Sequence, residues 1–279
     1  MKVRGAGRTD AGVHAEGQTA SFDTEKRWGD RSLRDALNAH LPDDLACVEA
    51  REVSDAFDPR RWAWGKHYRY RWLDRPTRSP LRIDRAWHIR RPLDALAMAA
   101  AAAHLVGRHD FSAFRAAGCT AAHPVRVIEA LTVTRHADEL WLDARGQGFL
   151  RHMVRIIAGS LTEVGLGNQP PDWTAELLSG RDRALAGRTA PAHGLTLVEV
   201  RYERGPPPWV DGAEAEEPAS GGSTEDYSSS SPPPSSKLSS SSSMSPLTSS
   251  SSSSSIPPIP SSSSSPISSP PSISSSSSE

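Results

Sequence analysis

A change in composition near residue 205 limits which part of this sequence can fold. From there to residue 279 serine and proline dominate, interrupted by an acidic patch at residues 214–217. Such a segment cannot bury enough apolar surface to offset the entropy of ordering the chain. We therefore predict a disordered, low-complexity tail over residues 205–279 and a folded part that ends near residue 204.

Charge is also divided between these two parts. Residues 1–204 hold 31 Lys and Arg against 26 Asp and Glu, a net charge of +5, whereas residues 205–279 hold 1 against 7. An excess of arginine in the folded part suits an RNA partner.

The two cysteines, Cys47 and Cys119, are far apart and form no C-x-x-C pair. Neither a disulfide framework nor a zinc site is expected from them, and a reducing compartment fits. The sequence also lacks an apolar run of about eighteen residues and a signal-peptide pattern after Met1. We therefore expect a cytoplasmic protein.

Residues 4–15 form a glycine-rich stretch that places one carboxylate, Asp10, between two basic side chains, Arg8 and His14. Glycine lets the backbone approach a ligand closely, so a loop of this kind can hold Asp10 at the edge of a cleft. Arg8 can pair with the carboxylate in a planar fork and favour its ionised form. An ionised Asp10 can serve as a nucleophile or a general base.

Two other interpretations of this stretch stay open from the residues alone. The spacing of Gly5 and Gly7 begins a dinucleotide-binding fingerprint and would suit a nucleotide-dependent oxidoreductase, although Asp10 stands where the third glycine belongs. A charged surface turn without chemistry would be the default interpretation of Arg8, Thr9 and Asp10 alone.

Residues 66–72 alternate between basic and aromatic side chains. A period of two predicts a strand that carries Tyr68, Tyr70 and Trp72 on one face. Aromatic side chains in a half-buried strand usually belong to the core, and this explains Tyr70 and Trp72. Basic residues interleaved with aromatic ones also suit RNA, whose bases stack on rings and whose phosphates attract cations.

The remaining pattern alternates between strands and helices and predicts the α+β class. Predicted helices cover about residues 30–40, 93–106, 149–161 and 173–178, the last capped by Asp172. Predicted strands cover residues 17–22, 45–53, 86–89, 125–135, 139–144 and 194–202, with a hairpin at residues 136–138. Arg151 and Arg155 lie four residues apart and share one face of the third helix.

Residues 5–15, Gly-Ala-Gly-Arg-Thr-Asp-Ala-Gly-Val-His-Ala, followed by Gln18 and Phe22, resemble the signature loop of the bacterial-type tRNA pseudouridine synthase A family. Four further blocks agree in order. Residues 66–70 resemble the family's R/K-x-Tyr-x-Tyr, residues 109–115 its His-Asp-Phe-x-x-Phe-Arg, residues 149–155 its Phe-Leu-x-His-Met-Val-Arg, and residues 194–202 its closing strand.

The resemblance implies a pseudouridine synthase fold. Its two ferredoxin-like α/β halves, here residues 1–92 and 93–204, surround a central cleft, and the protein is a homodimer. The implied reaction isomerises uridine to pseudouridine at positions 38 to 40 of the anticodon stem-loop of tRNA. It needs no cofactor and no metal.

The resemblance also implies roles for individual residues. Asp10 is the catalytic nucleophile, Arg155 pairs with it and keeps it ionised, and Tyr68 lies against the target base. The other candidates are Arg8 beside the catalytic acid, and Arg115 and His14 as substrate contacts.

One departure from the family concerns the start of the chain. The family has a strand with a Tyr-Asp-Gly motif and a helix before the signature loop, whereas residues 1–4 supply only the end of a strand. The sequence thus indicates a misassigned start or a fragment, and we favour the misassigned start. The alternative function is a catalytically impaired RNA-binding relative.

Overall fold

The computed structural model describes residues 1–202, so the tail predicted over residues 205–279 lies outside the described residues. The described part contains nine strands and four helices. The strands are β1 (Val3–Gly5), β2 (His14–Ala15), β3 (Ala20–Phe22), β4 (Gly65–Asp74), β5 (Trp87–Ile89), β6 (Gly107–Asp110), β7 (Val125–His136), β8 (Glu139–Gly146) and β9 (Leu195–Arg201). The helices are α1 (Asp30–Asn38), α2 (Ala95–Ala103), α3 (Met153–Gly165) and α4 (Trp173–Gly180). This mixture confirms the predicted α+β class.

Seven strands form one sheet in the order β2-β9-β4-β8-β7-β6, with β5 paired to the end of β4. β4 is central, because it runs antiparallel to both β8 and β9. β2 pairs with β9 and β5 with β4 in parallel, while β1 and β3 form a separate antiparallel pair. Strands from both sides of residue 93 share the large sheet, so the division into two halves stays a prediction.

The core lies between one face of this sheet and the helices. As predicted, Tyr68, Tyr70 and Trp72 share a face of β4, and they are 8%, 0% and 0% exposed. The indole nitrogen of Trp72 donates a hydrogen bond to Thr162 Oγ1 on α3 at 2.9 Å. Almost every residue of α3 is buried, because this helix packs between the sheet and the segment that precedes β9. A Cβ at Gly159 would collide with the carbonyl oxygen of Arg188, so glycine is needed there.

Two local predictions are confirmed in detail. α2 falls within the predicted range and begins after Asp94, whose carboxylate accepts hydrogen bonds from the backbone nitrogens of Leu96 and Ala97 at 2.9 and 3.0 Å. This is the side-chain cap that satisfies free N–H groups at a helix start. β7 and β8 form the expected hairpin, in which Ala137 adopts a positive φ of 54°.

Two other local predictions are wrong. Residues 45–53 form no strand, because the backbone of Cys47 is bound at 2.8 and 2.7 Å by the side-chain amide of Asn38, which replaces a strand partner. Asp172 precedes α4 but does not cap it with its side chain. Its carboxylate instead lies 3.2 Å from His104 Nε2.

Among residues 1–202, no helix is both long enough and apolar enough to cross a membrane.

Candidate active site

The signature loop runs from β1 to β2 and is held at its base by Gln18. The Gln18 amide donates to the carbonyl oxygen of Gly7 at 2.9 Å and accepts from the Gly7 nitrogen at 3.3 Å. Further on, the Val13 nitrogen donates to the Asp10 carbonyl oxygen at 2.9 Å, and Gly12 has a φ of 82°, a conformation that favours glycine. These bonds turn the loop so that the Asp10 side chain is directed towards α3.

Asp10 meets two basic side chains from the start of α3. Arg155 Nη1 donates a hydrogen bond to Asp10 Oδ2 at 3.3 Å, and His152 Nε2 lies 3.1 Å from the same oxygen. The Asp10 side chain is 35% exposed, so the carboxylate stays open to a ligand. The other oxygen, Oδ1, accepts no hydrogen bond from a side chain or backbone group of residues 1–202.

Arg155 is also held by contacts with Ala190. Its Nε donates to the carbonyl oxygen of Ala190 at 2.8 Å, and its own carbonyl oxygen accepts from the Ala190 nitrogen at 3.0 Å. The side chain is only 14% exposed. A guanidinium held in this way contacts the Asp10 carboxylate without ordering a flexible side chain at the moment of reaction.

His152 lies within the family-like segment at residues 149–155, but the resemblance implies no role for it. It precedes α3 with a positive φ of 59°, and this backbone conformation directs its ring to Asp10. Burial lowers the pKa of His152; the Asp10 charge opposes this effect, and Arg155 and Arg151 add to it. The imidazole is therefore mostly neutral at neutral pH. The signal that could have identified it is a histidine three residues before the arginine that contacts the acid.

Tyr68 reaches the same site from the central strand. Its ring packs edge-to-face on Phe149 with a centroid distance of 5.2 Å. A Cβ at Gly7 would lie 3.4 Å from Tyr68 Oη, so the hydroxyl lies directly beside the signature loop. Burial and the Asp10 charge raise the pKa of Tyr68 to about 12. The phenol is therefore protonated at neutral pH, and its hydroxyl makes no hydrogen bond with residues 1–202.

The structure shows where the other three candidates, Arg8, His14 and Arg115, lie, and their roles stay predictions. Arg8 is exposed and makes no ion pair within residues 1–202, so the cation that contacts Asp10 is Arg155 and not its sequence neighbour. His14 Nε2 donates to the carbonyl oxygen of Asp84 at 2.6 Å, which ties the signature loop to the segment before β5.

Arg115 begins a loop whose backbone carbonyl groups accept hydrogen bonds from arginine side chains. Its Nη2 donates to the carbonyl oxygens of Cys119 and Ala121 at 2.8 and 2.7 Å. Arg126 donates to the carbonyl oxygens of His123 in this loop and of Val125 at the start of β7, and Arg151 reaches the loop from just before α3. Carbonyl groups carry no net charge, and no carboxylate of residues 1–202 forms an ion pair with these three side chains. The loop therefore carries three arginine charges that no carboxylate of residues 1–202 neutralises.

Within residues 1–202 no group of three or more His, Cys, Asp or Glu side chains is arranged to hold a metal ion.

The sequence is similar to those of known proteins over most of its described part. Residues 101–203 match a family of sequences described as tRNA pseudouridine synthase. A relative from Myxococcus xanthus, named tRNA pseudouridine synthase A, is 52% identical over 220 residues, which cover 78% of this chain and 83% of the relative. Relatives of the same name from Geotalea uraniireducens and Bartonella henselae are 48% and 44% identical, and each match covers 72% of this chain and 83% of the relative.

Proposed function

The chain belongs to the tRNA pseudouridine synthase A family, and we propose that it isomerises uridine to pseudouridine in the anticodon stem-loop of tRNA. One observation carries this proposal. Asp10 and Arg155, which are 145 residues apart in sequence, meet at 3.3 Å beside the hydroxyl of Tyr68. A carboxylate, a fixed guanidinium and a protonated phenol are thereby brought to one accessible place.

The proposed reaction needs one reactive carboxylate. The bond from uracil N1 to ribose C1′ breaks, the base turns, and C5 joins C1′; N1 gains a proton and C5 loses one. We assign the nucleophile to Asp10. Arg155 holds Oδ2, and Oδ1 accepts no hydrogen bond within residues 1–202, so Oδ1 is the oxygen that attacks the nucleotide.

Tyr68 is proposed to lie against the target uracil. Its ring is supported by Phe149, and its hydroxyl has no partner within residues 1–202. An aromatic ring that is held in place by a neighbouring ring can receive a base that has left its stack. Because the pKa of Tyr68 is raised to about 12, the phenol can donate a hydrogen bond or a proton but does not act as a phenolate.

Arginine side chains are proposed to bind the RNA backbone. Arg8 is exposed next to the catalytic acid and has no ion-pair partner within residues 1–202. Arg115 binds the carbonyl groups of its own loop, which ends before β7. It is therefore proposed to support the surface with which this loop contacts the RNA. His14 is proposed to position the signature loop through Asp84, since its Nε2 is already engaged.

Release of tritium from tRNA labelled at uracil C5 tests the proposal, because forming the new C–C bond expels that hydrogen. The full chain should release tritium from an unmodified tRNA transcript. Asp10→Asn should bind the same transcript but release only background tritium. Binding by the unsubstituted chain without release would contradict the enzymatic function and favour a catalytically impaired RNA-binding protein. Mapping the pseudouridines by sequencing then tests the assignment to the anticodon stem-loop.

Two further proposals come from the family resemblance. We propose that the protein is a homodimer and that it acts in the cytoplasm, where its tRNA substrate is found. Light scattering on the full chain tests the first: a mass twice that of the chain supports it, and a monomer across the concentration range contradicts it.

A further inference from the structure

We propose that Lys66 binds a backbone phosphate of the nucleotide whose base enters the site beside Asp10. This inference rests on the proposed function, because it concerns the same RNA. Lys66 has no other assigned role in the site.

Lys66 lies on the central strand, beside the signature loop. It lies on β4 two residues before Tyr68, and its backbone is fixed on both sides by pairing with Gly146 on β8 and Val200 on β9. Residues two apart on a strand share a face, so Lys66 and Tyr68 point to the same side of the sheet. A Cβ at Gly7 would lie 3.8 Å from Lys66 Cε and 3.4 Å from Tyr68 Oη. The end of the lysine stem and the phenol therefore border the same part of the signature loop.

Among residues 1–202 the ammonium group of Lys66 has no anionic partner. The residue is partly buried, and within residues 1–202 it makes neither an ion pair nor a hydrogen bond. The neighbouring charge that acts on it is another cation, Arg60, which is exposed and has no side-chain partner there either. Burial and this repulsion lower the pKa of Lys66. A partly desolvated cation without a partner is costly, and the cost is removed when an anion binds.

The substrate can supply that anion. Phosphate groups are the anionic groups of an RNA, and a base that rotates out of its stack carries its two flanking phosphates towards the enzyme. With Tyr68 against the base and Lys66 further along the same strand, the two side chains are spaced to meet different parts of one nucleotide. The alternative is a lysine that only covers apolar surface with its stem while its ammonium group stays in water.

The dependence of tRNA binding on salt distinguishes these two roles. Each phosphate contact that is lost lowers the slope of log K against log salt concentration by about 0.7 to 0.9. We expect Lys66→Met to lower the slope by this amount and to weaken binding by about ten- to a hundredfold, and Lys66→Arg to restore both. Lys26→Met, which removes a lysine stacked on Trp28, is the matched control and should leave the slope unchanged. An unchanged slope for Lys66→Met, or an equal fall for Lys26→Met, overturns the inference.

A second arm changes the RNA and measures its binding to the unsubstituted chain and to Lys66→Met. A stem-loop RNA is made with one neutral methylphosphonate linkage, either 5′ or 3′ of the uridine that releases tritium. If Lys66 binds one of these phosphates, the unsubstituted chain should bind the modified RNA more weakly than the unmodified RNA. Lys66→Met should bind the modified and unmodified RNAs equally well. Additive losses at both linkages overturn the inference. Equal binding of the modified and unmodified RNAs by the unsubstituted chain overturns it as well, and this result does not depend on how Lys66→Met folds. Failure of the proposed function is recognised separately, as an absence of tritium release by a chain that still binds tRNA.

Discussion

Arg155 Nη1 contacts Asp10 Oδ2 at 3.3 Å, while the Nε of the same guanidinium donates to the carbonyl oxygen of Ala190 at 2.8 Å. One planar group therefore connects the signature loop to the segment before β9. Lysine carries its donors on one nitrogen and does not reproduce the fixed spacing of Nε and Nη1 in the guanidinium plane.

From this geometry we predict that Arg155→Lys lowers kcat/KM for tritium release by about ten- to a hundredfold, which corresponds to one charge-assisted hydrogen bond. Steady-state kinetics on a tRNA transcript provide the measurement. The neighbouring substitution Arg151→Lys, at a side chain that only reaches loop carbonyl groups, is the control and should have a smaller effect. Equal effects of the two substitutions would show that the contact with Asp10 does not matter to the reaction.

Tyr68 offers a substitution that separates function from stability. Phenylalanine keeps the edge-to-face packing on Phe149 and removes a hydroxyl that makes no hydrogen bond within residues 1–202. We expect Tyr68→Phe to change the free energy of unfolding by less than about 0.5 kcal/mol and to reduce tritium release strongly. Urea unfolding and the tritium assay on the same preparation test both parts. Tyr70→Phe is the contrasting variant, because the Tyr70 hydroxyl donates to the Pro191 carbonyl oxygen at 3.0 Å and its loss should lower stability. Full activity of Tyr68→Phe contradicts the role assigned to the phenol.

Arg8 tests whether an exposed cation beside the acid contributes to RNA binding. It has no ion-pair partner within residues 1–202, so Arg8→Gln should leave the unfolding free energy within about 0.5 kcal/mol of the unsubstituted chain. If the side chain contacts a phosphate, the salt slope of tRNA binding should fall by about 0.7 to 0.9. Filter binding across a salt series measures this, with Arg31→Gln on exposed α1 as control. A slope that stays unchanged limits Arg8 to a role in catalysis or to none.

Local patterns were sufficient where the structure depends on neighbours in sequence. The alternation at residues 66–72 was enough to predict β4 and its buried face, because side chains of a strand point to opposite sides in turn. The hairpin between β7 and β8 was predicted from its turn residues. Residues 45–53 also resemble a strand but form none, since the side chain of Asn38, at the end of α1, binds the backbone of Cys47. A side chain that competes for backbone groups leaves no periodic signal.

The site itself could not be derived from spacing. Asp10 and Arg155 meet across 145 residues, and no periodic pattern joins them, so their contact was expected only from the family resemblance. Sequence proximity favoured Arg8 as the partner of Asp10, but in a loop the direction of a side chain depends on the turn and not on the distance along the chain. His152 was missed for a related reason: it contacts Asp10 because its backbone adopts a positive φ before α3.

His152 also predicts how stability depends on pH. Its pKa in the folded protein is lowered, chiefly by burial, below the value of about 6.5 expected in the unfolded chain. The unfolded chain therefore takes up the proton more readily, and the contribution of the neutral ring to stability is full above about pH 6.5 and is lost as the pH falls below it. We expect the unfolding free energy of the unsubstituted chain to fall more steeply between about pH 7 and pH 5 than that of His152→Gln. Urea titrations at several pH values measure both, and His40→Gln, at an exposed histidine, should follow the unsubstituted chain. If His152→Gln shows the same fall, the pKa of His152 is not lowered in the folded protein.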